Sequence, residues 1–142
     1  MLTRKNYKVL IIDDEVDLTN MTRIQLELSG FMVDTAFNGI DGINKAYGFR
    51  PDLILLDIRM PDLDGFQVLK QLKEKDETAK IPVVMFTTCS QKVEMEKAYE
   101  LGAIEYLTKP INLSNLGSQV IGVIEKGERN WAGELISALR YL

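Results

Sequence analysis

The chain has 142 residues, enough for one domain with a buried core. Its 17 basic and 21 acidic residues give a net charge of −4, which disfavours direct binding of nucleic acid because such binding needs a basic surface. The sequence contains no histidine, which excludes Ser-His-Asp triads and histidine-containing zinc sites. With one cysteine, no visible signal peptide and no segment long enough to cross a bilayer, we expect a cytoplasmic protein that does not contact membranes.

The first half of the chain alternates apolar runs with segments of helical spacing. The run Lys8–Ile12 predicts a buried parallel strand. A first helix follows and is predicted to stop at Gly30, a residue typical of helix ends. Residues 31–36 predict a second strand. A second helix begins near Ile40 and closes before Pro51.

The second half repeats this pattern. Three more strands are predicted, at Leu53–Leu56, at 81–86 and at 104–107. The helix after the third strand opens at Phe66, and its far end at 73–80 is charged and is expected to face solvent. A fourth helix ends near Gly102, and a fifth contains residues 113–123.

Five strands that alternate with five helices predict an α/β fold. The expected architecture is a doubly wound, five-stranded parallel sheet of flavodoxin-like order 2-1-3-4-5, with helices on both faces. In that order the first and third strands flank the point where strand order reverses, which is where open parallel sheets bind ligands.

Polar residues stand at the carboxyl ends of four predicted strands. They are Asp13 and Asp14 after the first strand, Asp57 after the third, Thr87 after the fourth and Lys109 after the fifth. Three carboxylates so close would repel one another, so a cation is expected among them, and Mg²⁺ suits oxygen ligands of this kind. Lys109 would add positive charge and Thr87 a hydroxyl. A carboxylate nucleophile in such surroundings fits phosphoryl transfer.

The sequence resembles the receiver domain of two-component response regulators. The motifs that carry the resemblance are Asp13-Asp14, DIRMPDLDG from Asp57 to Gly65, Thr87, and YLTKP from Tyr106 to Pro110. Their order and spacing match the family over about residues 7–126, which is most of the chain.

The resemblance implies a role for each acidic position. Asp57 corresponds to the phosphoacceptor. Asp14 corresponds to a direct Mg²⁺ ligand and Asp13 to a ligand that acts partly through water. The backbone carbonyl of Arg59 would complete the protein ligands of the metal.

The resemblance also implies a switch. Thr87 corresponds to the hydroxyl that moves onto the phosphoryl group, and Tyr106 to the aromatic residue that turns inward behind it. Lys109 corresponds to the lysine that grips a phosphoryl oxygen, and its bond to Pro110 to a cis peptide. One departure is Thr88, where the family has a very small residue; we expect it to narrow access to Asp57 and to alter rates.

The implied function is that of a signalling module switched by phosphorylation. The phosphodonor would be a sensor histidine kinase or a phosphotransfer protein, and the domain would catalyse only its own phosphorylation and slow hydrolysis. The changed surface would comprise the fourth helix, fifth strand and fifth helix. A downstream protein or a covalently attached output domain would bind it.

Other functions stay open beside this one. They are a hydrolase that works through an aspartyl phosphate, and an intermediate receiver in a phosphorelay. Such hydrolases commonly carry an Asp-x-Asp pair after the first strand, whereas this chain has Asp13-Asp14-Glu15. A flavin carrier is disfavoured because two acids at that position would repel the flavin phosphate.

Several single residues also have a purely structural interpretation. Asp13 and Asp14 could cap the first helix. Tyr106 could be a half-buried strand residue. Asp62 and the Asp64-Gly65 pair are interpreted as turn and capping residues, and the single cysteine, Cys89, as an inert small residue.

The tail lies beyond the family resemblance. Residues 1–127 are assigned to the receiver domain, and residues 128–142 to an additional amphipathic helix or linker. Helical spacing of apolar residues predicts this helix, at Trp131, Leu135, Ala138 and Leu142. It either continues the fifth helix through Gly127 or starts anew, since an internal glycine costs only about 1 kcal/mol. An exposed apolar stripe should be covered, either by folding back on the domain or by a second copy of the chain. The resemblance to receiver domains favours the homodimer.

Overall fold

The computed structural model describes residues 6–139 and, of these, the side chains of residues 6–127. The strands are β1 Lys8–Ile12, β2 Met32–Ala36, β3 Leu53–Leu56, β4 Val83–Thr87 and β5 Glu105–Thr108. They form one sheet of order β2-β1-β3-β4-β5 in which all neighbours pair in parallel. The predicted fold is therefore confirmed, with the fourth and fifth strands ending one residue later than expected.

The helices number one more than the sequence predicts. They are α1 Val16–Leu28, α2 Gly39–Phe49, α3 Gly65–Glu74, α4 Asp76–Ala79, α5 Lys92–Glu100 and α6 Leu116–Leu139, with a short 3-10 turn at Leu113–Asn115. The expectation of one solvated helix through residues 73–80 is wrong, because Lys75 is extended and separates α3 from α4. The buried Thr78 hydroxyl donates to the Leu72 carbonyl at 2.6 Å and holds α4 against α3.

The core has two layers, one on each face of the sheet. Strand β1 sends Leu10 and Ile12 into the layer shared with α2, α3 and α5. It sends Val9 and Ile11 into the layer shared with α1 and α6. Alternation along a strand produces this division, and burial of both faces is typical of parallel sheets. The two layers fix the carboxyl ends of all five strands along one edge.

Helix α1 buries the opposite face from the one its apolar spacing suggests. Met21, Ile24 and Leu28 are exposed, at 58%, 50% and 79%, whereas Thr19 and Thr22 are buried. Both threonine hydroxyls lie against backbone carbonyls, which satisfies them inside the core. The spacing therefore predicts the helix correctly but not the side that packs.

Helix α6 is a single element from Leu116 to Leu139 and passes through Gly127 without a break. Of the two alternatives for the tail, the structure has the continuous helix. The division of the chain at residue 127 stays a prediction. The side chains of the tail's apolar stripe, and the whole of Leu142, lie outside the described residues. Over residues 6–139 the structure contains no helix with both the length and the apolar character needed to cross a membrane.

Candidate functional site

The two central strands bring the predicted acidic residues together. Strands β1 and β3 are direct neighbours with Ile12 paired to Leu56, so the residues that follow them emerge side by side. The Asp57 N–H donates to the Ile12 carbonyl at 3.0 Å, which extends the pairing by one residue. Carboxylate oxygens of Asp13, Asp14 and Asp57 all lie within 4.8 Å of one another.

The Asp57 carboxylate is nearly buried, with the residue 6% exposed. Its Oδ1 accepts the N–H of Ile58 at 2.8 Å, which fixes the orientation of the group. Burial raises the pKa of Asp57 above its ordinary value, and the charge of Asp13 adds to this. The Thr87 hydroxyl and the Lys109 ammonium act in the opposite direction but do not cancel the rise.

Lys109 places its ammonium among these carboxylates. Its Nζ lies 2.5 Å from Asp13 Oδ2 and 3.9 Å from Asp57 Oδ2, and its side chain is 5% exposed. The Lys109 N–H donates to the Thr87 carbonyl at 2.7 Å, so β4 holds the start of the loop. The Lys109–Pro110 peptide is cis, as the resemblance implies.

Thr87 and Tyr106 meet at the loop after β4. Thr87 is fully buried, and its Oγ1 accepts the N–H of Cys89 at 3.3 Å. Tyr106 is buried too, and its hydroxyl donates to the Cys89 carbonyl at 2.7 Å. Burial raises the pKa of Tyr106 to about 12. Tyr106 is a strand residue, as the structural interpretation has it, but it is buried rather than half-buried, and its hydroxyl has an internal partner.

An open cleft of about 390 Å³ adjoins the acidic cluster, with Asp14, Arg59, Phe66 and Glu94 in its lining. The exposed Arg59 side chain donates from Nε to the Cys89 Sγ at 3.1 Å. This contact, and then the carboxylates of Glu94 and Asp57, raise the pKa of the Arg59 guanidinium above its ordinary value. Positive charge is thus held at the mouth of the site.

Asp64 caps a helix, as the sequence predicts, whereas Asp13 and Asp14 do not. Asp64 caps α3: its side chain accepts the Gln67 N–H, and the Gln67 side chain accepts the Asp64 N–H, as predicted. The N-cap of α1 is Glu15, and no side chain caps that helix. Asp13 Oδ1 instead accepts the Glu15 N–H at 3.0 Å. The carboxylates of Asp13 and Asp14 lie in the acidic cluster with Asp57.

Two residues contribute to the site in ways that the sequence does not predict, since Gly65 is interpreted from it only as a turn residue and Cys89 as an inert one. Gly65 donates its N–H to the Ile58 carbonyl at 2.7 Å, and a Cβ at Gly65 would lie 2.2 Å from the Asp57 carbonyl oxygen. The Asp64-Gly65 dipeptide is the sequence feature that could have indicated a close approach of the backbone at this position. Cys89 contacts Thr87, Tyr106 and Arg59, and nothing in its local sequence indicates this.

The donor set fits a small hard cation. The cluster offers carboxylate oxygens alone, from Asp13 and Asp57, which are buried, and from Asp14, which is exposed. Oxygen-only sites of this kind suit Mg²⁺ better than softer metals. The protein could therefore hold a divalent cation at this edge of the sheet.

Comparison with known proteins agrees with this geometry. The family model of the response regulator receiver domain matches residues 9–121. The chain is 36% identical over 122 residues to the DNA-binding dual master transcriptional regulator RpaA of Synechocystis, covering 86% of this chain and 51% of that protein. It is 35% identical over 123 residues to the alkaline phosphatase synthesis transcriptional regulatory protein PhoP of Bacillus subtilis, covering 87% of this chain and 50% of that protein. The chain thus spans about half the length of these two relatives.

Solved structures show the same fold. The chemotaxis protein CheY4 of Vibrio cholerae superposes with a TM-score of 0.79 at 29% identity, covering 84% of this chain and 99% of that one. A CheY-like response regulator receiver domain protein of Methanospirillum hungatei superposes with a TM-score of 0.82 at 24% identity, covering 89% and 99%. The chain belongs to the response regulator receiver domain family, the phosphorylation-switched signalling modules of two-component systems.

Proposed function

We propose that this receiver domain accepts a phosphoryl group on Asp57 from the phosphohistidine of a sensor histidine kinase or phosphotransfer protein. The observation that carries the proposal is the placement of the Asp57 carboxylate between two further acids and the Lys109 ammonium. Because the given 142 residues contain no histidine, the phosphohistidine must lie outside them.

The chain's own residues support one transfer step. Since Asp57 Oδ1 is held by the Ile58 N–H, Oδ2 is the oxygen that attacks phosphorus. A new O–P bond forms, the P–N bond of the donor breaks, and the imidazole leaves with its electron pair. Lys109, 3.9 Å from Oδ2, stabilises negative charge on the transferred oxygens, and Thr87 donates a hydrogen bond to them. Hydrolysis removes the phosphoryl group again. Water attacks phosphorus, the Asp57 carboxylate leaves, and inorganic phosphate is released with the protons of the water.

The carboxylates of Asp13, Asp14 and Asp57 and the backbone carbonyl of Arg59 would hold Mg²⁺. When bound, the ion supplies charge neutralisation for the phosphoryl oxygens. Without a cation the three acids repel one another, which opposes the approach of an anionic donor.

The output is proposed to pass through the face formed by α5, β5 and α6. Tyr106 lies on β5, and its hydroxyl is bonded to the loop that connects Thr87 with α5. A change at Thr87 therefore has a direct route to this face. Two relatives are transcriptional regulators of which the matched residues make up only about half, which supports an attached output domain or a downstream protein as the reader.

The domain is proposed to catalyse only its own phosphorylation and slow dephosphorylation. It is not proposed to bind nucleic acid directly. The cytoplasm, typical of response regulators, is the proposed compartment. A homodimer through the tail and a role as phosphorelay intermediate stay as further proposals. Turnover of free small phosphates would instead support a hydrolase.

Labelling with acetyl phosphate tests the phosphoacceptor. With Mg²⁺, intact mass should show the gain of one phosphoryl group, and Asp57→Asn should abolish it. Asp76→Asn is the matched control, because this exposed carboxylate lies on α4, outside the lining of the cleft. Labelling of Asp57→Asn at another residue would refute the assignment.

The metal ligands need a separate experiment. Asp14→Asn removes one carboxylate from the cluster, so Mg²⁺ affinity and the rate of phosphorylation should both collapse while the fold persists. Isothermal titration with Mg²⁺ measures the first effect directly. Normal affinity in this variant would show that Asp14 is not a ligand.

A further inference from the structure

Cys89 contacts three residues of the site through three different atoms. Its N–H donates to Thr87 Oγ1 at 3.3 Å, and its carbonyl accepts the Tyr106 hydroxyl at 2.7 Å. Its Sγ accepts the Arg59 Nε–H at 3.1 Å. The first two contacts use the backbone and survive any substitution that keeps the loop in place. The third depends on the cysteine side chain alone.

The sulfur contact restrains a charged group that would otherwise be mobile. Arg59 is exposed, and a free arginine side chain has many rotamers to lose. Cys89 is 5% exposed and so provides a fixed acceptor for Arg59, which lines the cleft. The guanidinium is thereby kept at the mouth of the cleft next to the acidic cluster, where an anionic phosphodonor must enter.

We infer that Cys89 is a positioning residue, which holds the Arg59 guanidinium over the entrance to Asp57 and couples it to the Thr87–Tyr106 pair. The inference rests on the proposed phosphorylation of Asp57. A guanidinium fixed at the entrance raises the local concentration of an anionic donor. Because Thr87 and Tyr106 bond to the same residue, movement of the loop after β4 also moves the acceptor on which Arg59 rests.

A double-mutant cycle tests the coupling. Cys89→Ala removes the acceptor, and Arg59→Met removes the guanidinium but keeps the backbone carbonyl and the stem. At low salt with saturating Mg²⁺, Arg59→Met should slow phosphorylation by acetyl phosphate about five-fold, equivalent to about 1 kcal/mol, and Cys89→Ala, which keeps the guanidinium, should slow it by less. The double variant should be no slower than Arg59→Met, because the two side chains act as one unit. Independent, multiplying effects would overturn the inference.

The salt dependence of the rate separates positioning from a general structural effect. Steering by an exposed guanidinium weakens as ions screen it, so the wild-type rate should fall between about 0.01 M and 0.5 M salt. Arg59→Met should flatten that dependence, and Cys89→Ala should flatten it in part. Cys89→Ser keeps an acceptor and should restore both rate and salt dependence. A wild-type slope in Cys89→Ala would refute the positioning role.

Failure of this inference is distinguishable from failure of the proposed function. If Asp57 is labelled in the wild type and the cycle shows no coupling, only the role of Cys89 is wrong. If Asp57 is not labelled at all, the proposed function itself fails. Arg59 is exposed, so Arg59→Met should keep the wild-type unfolding temperature. If Cys89→Ala unfolds, Cys89→Val, which fills the space of the side chain without an acceptor, takes its place in the cycle.

Discussion

The Lys109 ammonium lies 2.5 Å from Asp13 Oδ2, and both side chains are about 95% buried, at 5% and 4% exposure. The next carboxylate, Asp57, is 3.9 Å from the same nitrogen. One buried cation therefore compensates two buried acids, and its attraction to Asp13 is the closer. The attraction between Lys109 and Asp57 is therefore the weaker of the two, in keeping with the raised pKa of Asp57.

Lys109→Ala should destabilise the fold when Mg²⁺ is absent. Removing one partner leaves the Asp13 charge buried without compensation, a change that typically costs about 3–5 kcal/mol. Urea unfolding measures the loss. Mg²⁺ should restore part of the lost stability. Without the Lys109 ammonium the carboxylates carry more uncompensated negative charge, so they should bind a cation more tightly.

Lys45→Ala is the matched control for that experiment. Lys45 forms ion pairs with Asp34 and Asp41 whose side chains are 36–45% exposed, so its loss should cost only about 0–1 kcal/mol. It should also leave the effect of Mg²⁺ on stability unchanged. Equal losses in the two variants would contradict the special role of the buried pair.

Asp57→Asn should stabilise the metal-free protein at neutral pH. Burial raises the folded-state pKa of Asp57 above the ordinary value of 3.8, so the folded state binds this proton more tightly than the unfolded chain does. Stability is therefore lost as pH rises from 3.8 through the folded pKa, and an uncharged residue avoids that loss. Urea unfolding from about pH 7 down to about pH 4 should show the advantage of Asp57→Asn shrinking. An advantage that grows with acidity would contradict the assigned direction.

The strand pattern made the sheet and the acidic edge predictable. Runs such as Leu53–Leu56 are apolar throughout, because both faces are covered, and they stop at a polar residue. Once strand order is known, the carboxyl ends of β1 and β3 must be adjacent. Asp13 and Asp57 could therefore be placed together before any coordinates.

Other features depend on tertiary contacts that no periodicity records. The packed face of α1 could not be identified, because Thr19 and Thr22 are buried where apolar residues were expected. The contacts of Cys89 could not be identified either, since Arg59 lies in the loop after β3 and Tyr106 lies on β5. Such contacts join segments that are far apart in the sequence, so no regular spacing of residue types indicates them.

Gly65→Ala should distort the loop that carries Asp57. The new Cβ would lie 2.2 Å from the Asp57 carbonyl oxygen and 2.7 Å from the Ile58 Cα, and both are backbone atoms that cannot rotate away. We expect a loss of about 1–3 kcal/mol in unfolding free energy and slower phosphorylation.

Gly48→Ala separates the contact from the general effect of replacing glycine. Nothing lies within 4 Å of a Cβ at Gly48, which is within α2. This variant should be unchanged or more stable by up to about 1 kcal/mol, with a normal rate of phosphorylation. If both variants behaved alike, close packing at Gly65 would not be what positions Asp57.

Thr87→Ala and Tyr106→Phe should separate phosphorylation from switching. Thr87→Ala removes the hydroxyl proposed to donate one hydrogen bond to the phosphoryl group, worth about 0.5–1.5 kcal/mol net, so phosphorylation should slow but still reach one group per chain. Tyr106→Phe keeps the buried ring but removes the donor to the Cys89 carbonyl, which should leave phosphorylation intact. Both variants should lose much of the response of α5 and β5. Thr87→Ala lacks the hydroxyl proposed to move onto the phosphoryl group, and Tyr106→Phe lacks the bond that links the loop to β5.

Amide chemical shifts measured with and without beryllofluoride, a phosphoryl mimic, report that response. In the wild type, shifts should spread from the loop after β4 into α5 and β5. In the two variants they should stay close to Asp57. Tyr47→Phe, in which the altered residue is partly exposed on α2, should respond as the wild type does. A full response in Tyr106→Phe would mean that the bond between the Tyr106 hydroxyl and the Cys89 carbonyl does not transmit the switch.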